Sequence, residues 1–150
     1  MALADRLIDA GGSLTALIER IEADEWLRLP APGAWSPGKD AEHVVDANVY
    51  HQWIVRLTIG TAKASSRPAI ERAELTSRRS PAETIELVRR TLDDAAALLR
   101  GLTDAQLDLV TKPPRAGAAS LATTIERVMI GHVDHHRAEI EAKLGRPAAC

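Results

Sequence analysis

The sequence predicts an all-α protein: one four-helix bundle spanning residues 1–150. Three observations predict it. Four long stretches place apolar residues at alternating three- and four-residue steps, the spacing of one helix face. No segment of useful length alternates apolar and polar residues as a half-buried strand does, and there is no internal repeat. Aromatic residues are 3% of the chain and Phe is absent, so a core must come from Leu, Ile, Val and Ala, which suits packed helices. A chain of 150 residues is long enough for one sizeable core.

The first helix is expected from about Leu3 to Ala23, with Leu3, Leu7, Ala10, Leu14, Leu17 and Ile21 as its stripe. Gly11 and Gly12 interrupt it, weaken it and invite a kink. "WLRLPAPGAWSPGKD" is a connection. The second helix starts at Ser36 as N-cap with Pro37 in the first helical position, and runs to about Ile59. Its stripe is His43, Ala47, Tyr50, Ile54 and Leu57; Val44, Val45 and Val49 widen the buried face. Residues 60–79 are polar and basic. They are too many for a tight helical hairpin and suggest a crossover or a pocket rim.

Ser80, Pro81 and Glu83 open the third helix as N-cap, N1 and capping-box residue. Ile85, Val88, Leu92, Ala95, Leu99 and Leu102 form its stripe. Thr103 and Gln106 bracket a short extra turn, and "TKPPRAGAA" is loop. The fourth helix follows Ser120 and ends at Leu144, with Gly145 as stop signal and Pro147 beyond. Its stripe is Leu121, Ile125, Val128, His132, His136, Ile140 and Leu144.

Composition excludes several function classes. Net charge is −2, no helix carries a basic stripe, and aromatics are too few for base stacking, so nucleic acid is not an expected partner. No run approaches the roughly 20 apolar residues of a membrane span, and "MALADRLIDAGGS" does not read as a secretory signal. The single cysteine, Cys150, has no intramolecular partner, which fits a reducing cytoplasm.

The histidines carry the chemistry. His132 and His136 are four residues apart, on one helix face, where Leu or Ile would be expected. His43 occupies a similar position in the second helix. A His pair alone also occurs on solvated faces. Three imidazoles facing a bundle interior need partners, however, and a divalent metal satisfies all three. An antiparallel pairing of the second and fourth helices would bring them to similar heights. His135 reads as rim or surface, and His51, about 80° off the line of His43, as surface. Tyr50 lies on the His43 side, as a pocket hydroxyl or plain core. Asp46 and Glu139 sit one turn from candidate ligands and are candidates to orient imidazoles, although solvated carboxylates are the default. Arg67, Arg72, Arg78 and Arg79 are placed to receive an anionic substrate or simply to be solvated.

Together these segments resemble a known family. "GAWSPGKDAEHVVDANVYHQW" is similar to the Trp-Ser/Thr then His segment of the DinB-like (DinB/YfiT) superfamily. "GHVDHHRAEIEAKLGRP" resembles its closing His-x-x-x-His helix, and "LRGLTDAQLD" the end of its third helix. The resemblance implies an up-down-down-up bundle with long connections. It also implies a metal triad from one helix-2 and two helix-4 histidines, here His43, His132 and His136, holding zinc or nickel. Trp35 matches the family's Trp before the second helix. Glu139 departs from the Gln common there. Known members include low-molecular-weight-thiol transferases (bacillithiol- or mycothiol-dependent) and a mycothiol-dependent maleylpyruvate isomerase, often homodimers. The expectation is therefore a cytoplasmic, homodimeric, metal-dependent enzyme acting on a small molecule, most directly by thiol transfer. A metal-dependent hydrolase, or a non-catalytic stress-linked binding module, are the rivals.

Overall fold

The computed structural model describes residues 2–113 and 119–145. Cys150 and Pro147, and part of the loop after Lys112, lie outside them. Leu3–Glu19 form α1, which runs unbroken through Gly11 and Gly12. No kink is needed, because Gly11 is a packing site: a Cβ there would lie 2.1 Å from Leu92 Cδ1 on the facing helix. The first helix stops earlier than its periodicity suggests. A separate turn, α2 (Ala23–Trp26), follows, closed by a capping box between Glu22 and Glu25. The break lets Trp26 tuck under the next helix, 3% exposed, with its indole N–H donating to Arg79 O at 2.9 Å.

The third element, α3 (Pro37–Ile59), starts as expected: Ser36 Oγ accepts from Lys39 N, and Pro37 takes the first helical position. Residues 60–80 return as a strap. Then α4 (Pro81–Arg100) begins at Ser80, whose Oγ accepts from Glu83 N. Thr103 and Gln106 form the expected capping box around α5 (Asp104–Leu107). The last helical stretch is α6 (Leu121–Thr124), a π-helical segment (Ile125–Ile130) and α7 (Gly131–Leu144), continuous in sequence. Gly145 closes it in the left-handed region at φ 64°. Among the described residues no strand forms, only an isolated bridge between Val110 and Ser120.

Side-chain pairs fix the helix directions. Asp5 pairs with Arg100 and Glu19 with Arg89, so α1 and α4 are antiparallel. His51 meets His132 and Asp40 meets Lys143, so α3 and α7 are antiparallel. Glu42 reaches Arg79 just before α4, and Asn48 and Gln52 bond to Thr91 within it, so α3 and α4 run parallel. Parallel neighbours need the long crossover that residues 60–79 supply. Each of α1 and α3 packs on both α4 and α7. The result is the up-down-down-up four-helix bundle. Its core holds Leu7, Leu14, Leu17, Ile18, Val44, Ile54, Val88, Leu121, Ile125, Val133 and Ile140, each under 2% exposed.

Two expectations about faces need correction. Val49 is 44% exposed, although Val44 and Val45 are buried, because it lies at the open edge of the α3–α4 seam beside Gln52 and Thr91. The fourth-helix stripe is not continuous either. The wider π turn shifts the register, so Met129 and Val133 continue the core line from Ile125, while Val128 and His132 turn toward a cavity.

Candidate metal centre

The cap at Ser36 sets α3 so that Asp40 and His43 share one face, three residues apart. Antiparallel α7 then places His136 opposite Asp40 and His43, and His132 opposite His43 and His51. His43 is 4% and His136 7% exposed; His132 is half-buried. The structure brings the three predicted histidines together. His132 Nε2 lies 3.2 Å from His43 Nε2, and one ring nitrogen from each of the three lies within 4.8 Å of the others. Two nitrogens bound to one tetrahedral zinc are about 3.3 Å apart, so the spacing suits a shared ion.

Protonation also suits one. Burial first, then the neighbouring His136 and the positive charges of Arg72 and Lys39, push the His43 pKa down to about 4. Burial, then His136, His51 and His43, lower that of His132 to about 2. Both rings are therefore neutral at pH 7, the ligating form. The third histidine is oriented by a carboxylate: Asp40 Oδ1 accepts from His136 Nδ1 at 3.0 Å, which leaves the Nε2 of His136 for the cluster. Asp40 is fully buried, and its other oxygen accepts from Lys143 Nζ at 2.5 Å. Sequence reasoning missed Asp40, which reads there as an ordinary acidic residue in the first turn of a helix.

The other candidates fall in three places. Trp35 stacks its ring 6.3 Å from His136 and sits 5.0 Å from His43, beside the cluster. Tyr50 is off the triad but lines the adjacent cavity, with Arg67 over its ring at 5.3 Å. Glu139 lies 3.9 Å from His136 Nδ1, farther than Asp40, and is 3.2 Å from His135, which is exposed as expected. Asp46 turns the other way, into a separate hollow with Glu42, Glu71 and Arg79, where burial raises its pKa; it orients none of the three histidines. His51 is a correction. It is 5% exposed, not surface, with its ring 5.3 Å from that of His132, because α7 covers that side of α3.

A cavity of about 820 Å³ opens beside His43 and His132. Tyr50, His51 and Val128 line it from the helices, and Arg67, Ile70 and Arg72 from the strap. No carboxylate lines it among the described residues. Lys39, 2% exposed, holds the strap from behind through Glu71 at 2.5 Å, and Ser36 N donates to Leu75 O.

The profile of the DinB superfamily matches residues 6–140. The chain belongs to the DinB superfamily. This DinB-superfamily bundle is also similar to the solved structure of YfiT from Bacillus subtilis, which is described as a probable metal-dependent hydrolase with an unusual four-helix bundle topology. The TM-score is 0.72 at 18% identity, over 97% of this chain and 87% of that one. At that identity the likeness shows the fold. No curated protein sequence matches the chain. Among the described residues of this superfamily member, no helix is long and apolar enough to cross a membrane. Its three histidines form a set that can hold a metal ion.

Proposed function

We propose that the protein is a metal-dependent enzyme in which His43, His132 and His136 hold one divalent cation, zinc or nickel, and that it transfers a low-molecular-weight thiol of the mycothiol or bacillithiol type to a small electrophile. One observation carries this: three converging imidazoles stand beside a cavity of about 820 Å³ whose described lining has no carboxylate. Three protein ligands leave a coordination position open, as catalytic rather than structural sites do. A divalent cation bound there supplies Lewis acidity, which brings the pKa of a thiol or water toward neutrality.

The chain's own residues then do the rest. Asp40 holds the His136 ring in one orientation and one tautomer. Trp35 covers the cluster on one side, and the strap walls the cavity on the other. In the transfer, the thiol gives up its proton, its sulfur bonds to the electrophilic carbon, and the leaving group departs with the bonding pair and a proton. A lining without carboxylates favours the thiol, which needs no strong general base once its pKa is lowered. The hydrolase reading is favoured by the description of the Bacillus protein and by His51, a buried imidazole on the cavity wall that suits a general base. The same reading takes the protein as a cytoplasmic homodimer, testable by light scattering and fractionation.

The deciding experiment measures bound metal in protein purified without a tag or chelator, beside His43→Ala, His132→Ala and His136→Ala. Near-stoichiometric zinc or nickel, lost in each variant, is the expected result. A thiol-transfer screen run beside an ester and amide hydrolysis screen then separates the two chemistries. No metal after reconstitution at neutral pH would sink the triad and leave a non-catalytic binding module.

A further inference from the structure

The strap carries four arginines, and the fold treats them in two ways. Arg78 pairs with Glu74 and its backbone N–H donates to Glu42, while Arg79 lies 3.7 Å from Glu42. Those two charges are met by Glu74 and Glu42, and both arginines line the hollow that also holds Asp46 rather than the cavity. Arg67 and Arg72 instead line the cavity beside the histidines. Arg67 rests over the Tyr50 ring at 5.3 Å, and neither guanidinium has an ion pair or hydrogen bond among the described residues.

This division is unexpected on composition. The chain has 21 acidic residues against 19 Lys and Arg, and most arginines elsewhere in the bundle find them, as Arg6 does with Glu126, Arg28 with Asp24 and Arg100 with Asp5. Arg56 and Arg127 have no ion pair among the described residues either, so what sets Arg67 and Arg72 apart is their shared place on the cavity wall. The described cavity lining offers two guanidiniums, the neutral imidazoles of His43 and His132, the His51 ring, a phenol and apolar groups, and no carboxylate. Walls of one charge sign concentrate the opposite charge from solution. A guanidinium held over an aromatic ring keeps its N–H donors, in a fork that matches a carboxylate or phosphate. We infer that Arg67 and Arg72 form an oxyanion-binding subsite on the strap side of the cavity, and that the substrate carries a carboxylate or phosphate group which this pair seats while its reacting end faces His43 and His132. The inference rests on the reading of that cavity as the substrate site.

The test is a titration followed by NMR at low ionic strength, with metal-free and zinc-loaded protein. Glutarate and inorganic phosphate are the anionic probes and glutaramide the neutral control. The anions should bind better than the diamide, with shifts at the strap. Arg67→Gln and Arg72→Gln should each weaken them about tenfold, and Arg78→Gln should leave them unchanged. The favoured anion then names the group. The three substituted side chains are exposed on the strap, outside the long helices, so the variants should fold, checked by unchanged helical circular dichroism. If anions bind no better than the diamide, or bind the double variant Arg67→Gln/Arg72→Gln as well as wild type, the subsite is overturned. Anion binding that needs zinc but ignores both arginines overturns it while leaving the triad intact. Arginine-dependent binding in protein that takes up no metal supports the subsite and overturns the triad instead.

Discussion

At the scale of single residues, one histidine of the triad is held by a carboxylate outside it. Asp40 bridges His136 and Lys143 while fully buried, so it positions one imidazole and neutralises one ammonium. Asp40→Asn should weaken metal affinity about 10- to 100-fold, the usual cost of losing such an orienting partner, measured by competition with a chromogenic chelator. Lys143→Met separates this from a general loss of stability: it removes the ion pair and keeps the Asp40–His136 bond. It should lower the melting temperature without the affinity loss. Equal affinity losses in both variants would show that Asp40 has no role particular to His136. The three histidines were legible because they interrupt apolar stripes at helical spacing. Asp40 was not, since an Asp in a first helical turn already has a sufficient reason, the helix dipole. His51 was misjudged because its angle was measured from His43 alone, whereas its burial comes from α7, a partner whose placement a single-helix argument lacks.

At the scale of elements, helix starts were readable and helix interiors less so. Ser36, Ser80, Thr103 and Ser120 each cap where their side-chain chemistry says they should. The π-helical turn left no signal, because Val128, Met129 and Ile130 are all apolar and permit either register. Gly11 and Gly12 look equivalent in sequence, and the structure distinguishes them. A methyl at Gly11 would strike Leu92, itself 2% exposed, whereas one at Gly12 would meet nothing within 4 Å. Both Gly→Ala changes gain the same helix propensity, about 1 kcal/mol. Gly12→Ala should therefore raise the thermal midpoint by about 2–4 °C. Gly11→Ala should fall about 1–3 kcal/mol below it, the usual cost of overpacking a core contact. Equal stabilisation in both, by thermal or urea unfolding, would mean that α1 and α4 do not approach so closely at Gly11.

At the scale of the whole molecule, one topological choice creates the site. Because α3 and α4 are parallel neighbours, the chain must travel the bundle's length between them, and that return forms the outer wall of the cavity. The length of residues 60–79 marked a crossover. Its course over α3 was not legible, since a polar, Pro- and Ser-containing run has no periodicity to place it. Both ends of it are tied by indole N–H groups, Trp53 to Lys63 O and Trp26 to Arg79 O, and its middle by Lys39, whose ammonium is buried against Glu71 and lies 5.6 Å from the Trp35 ring. The Lys39 partnership lowers the Glu71 carboxyl pKa to about 2, so the tie persists through neutral and mildly acidic pH. Lys39→Met keeps the apolar stem and removes the charge. The strap should then open locally while the helices stay folded, because Glu71 is 38% exposed and can be solvated once released. Trypsin cleavage after Arg72 should become about tenfold faster, with the helical circular dichroism signal kept. Cleavage at the wild-type rate would mean that the Ser36–Leu75 and Glu42–Arg78 bonds suffice to hold the wall. Loss of helix with the strap would mean that the crossover and the bundle unfold as one unit, leaving no separate element to admit substrate.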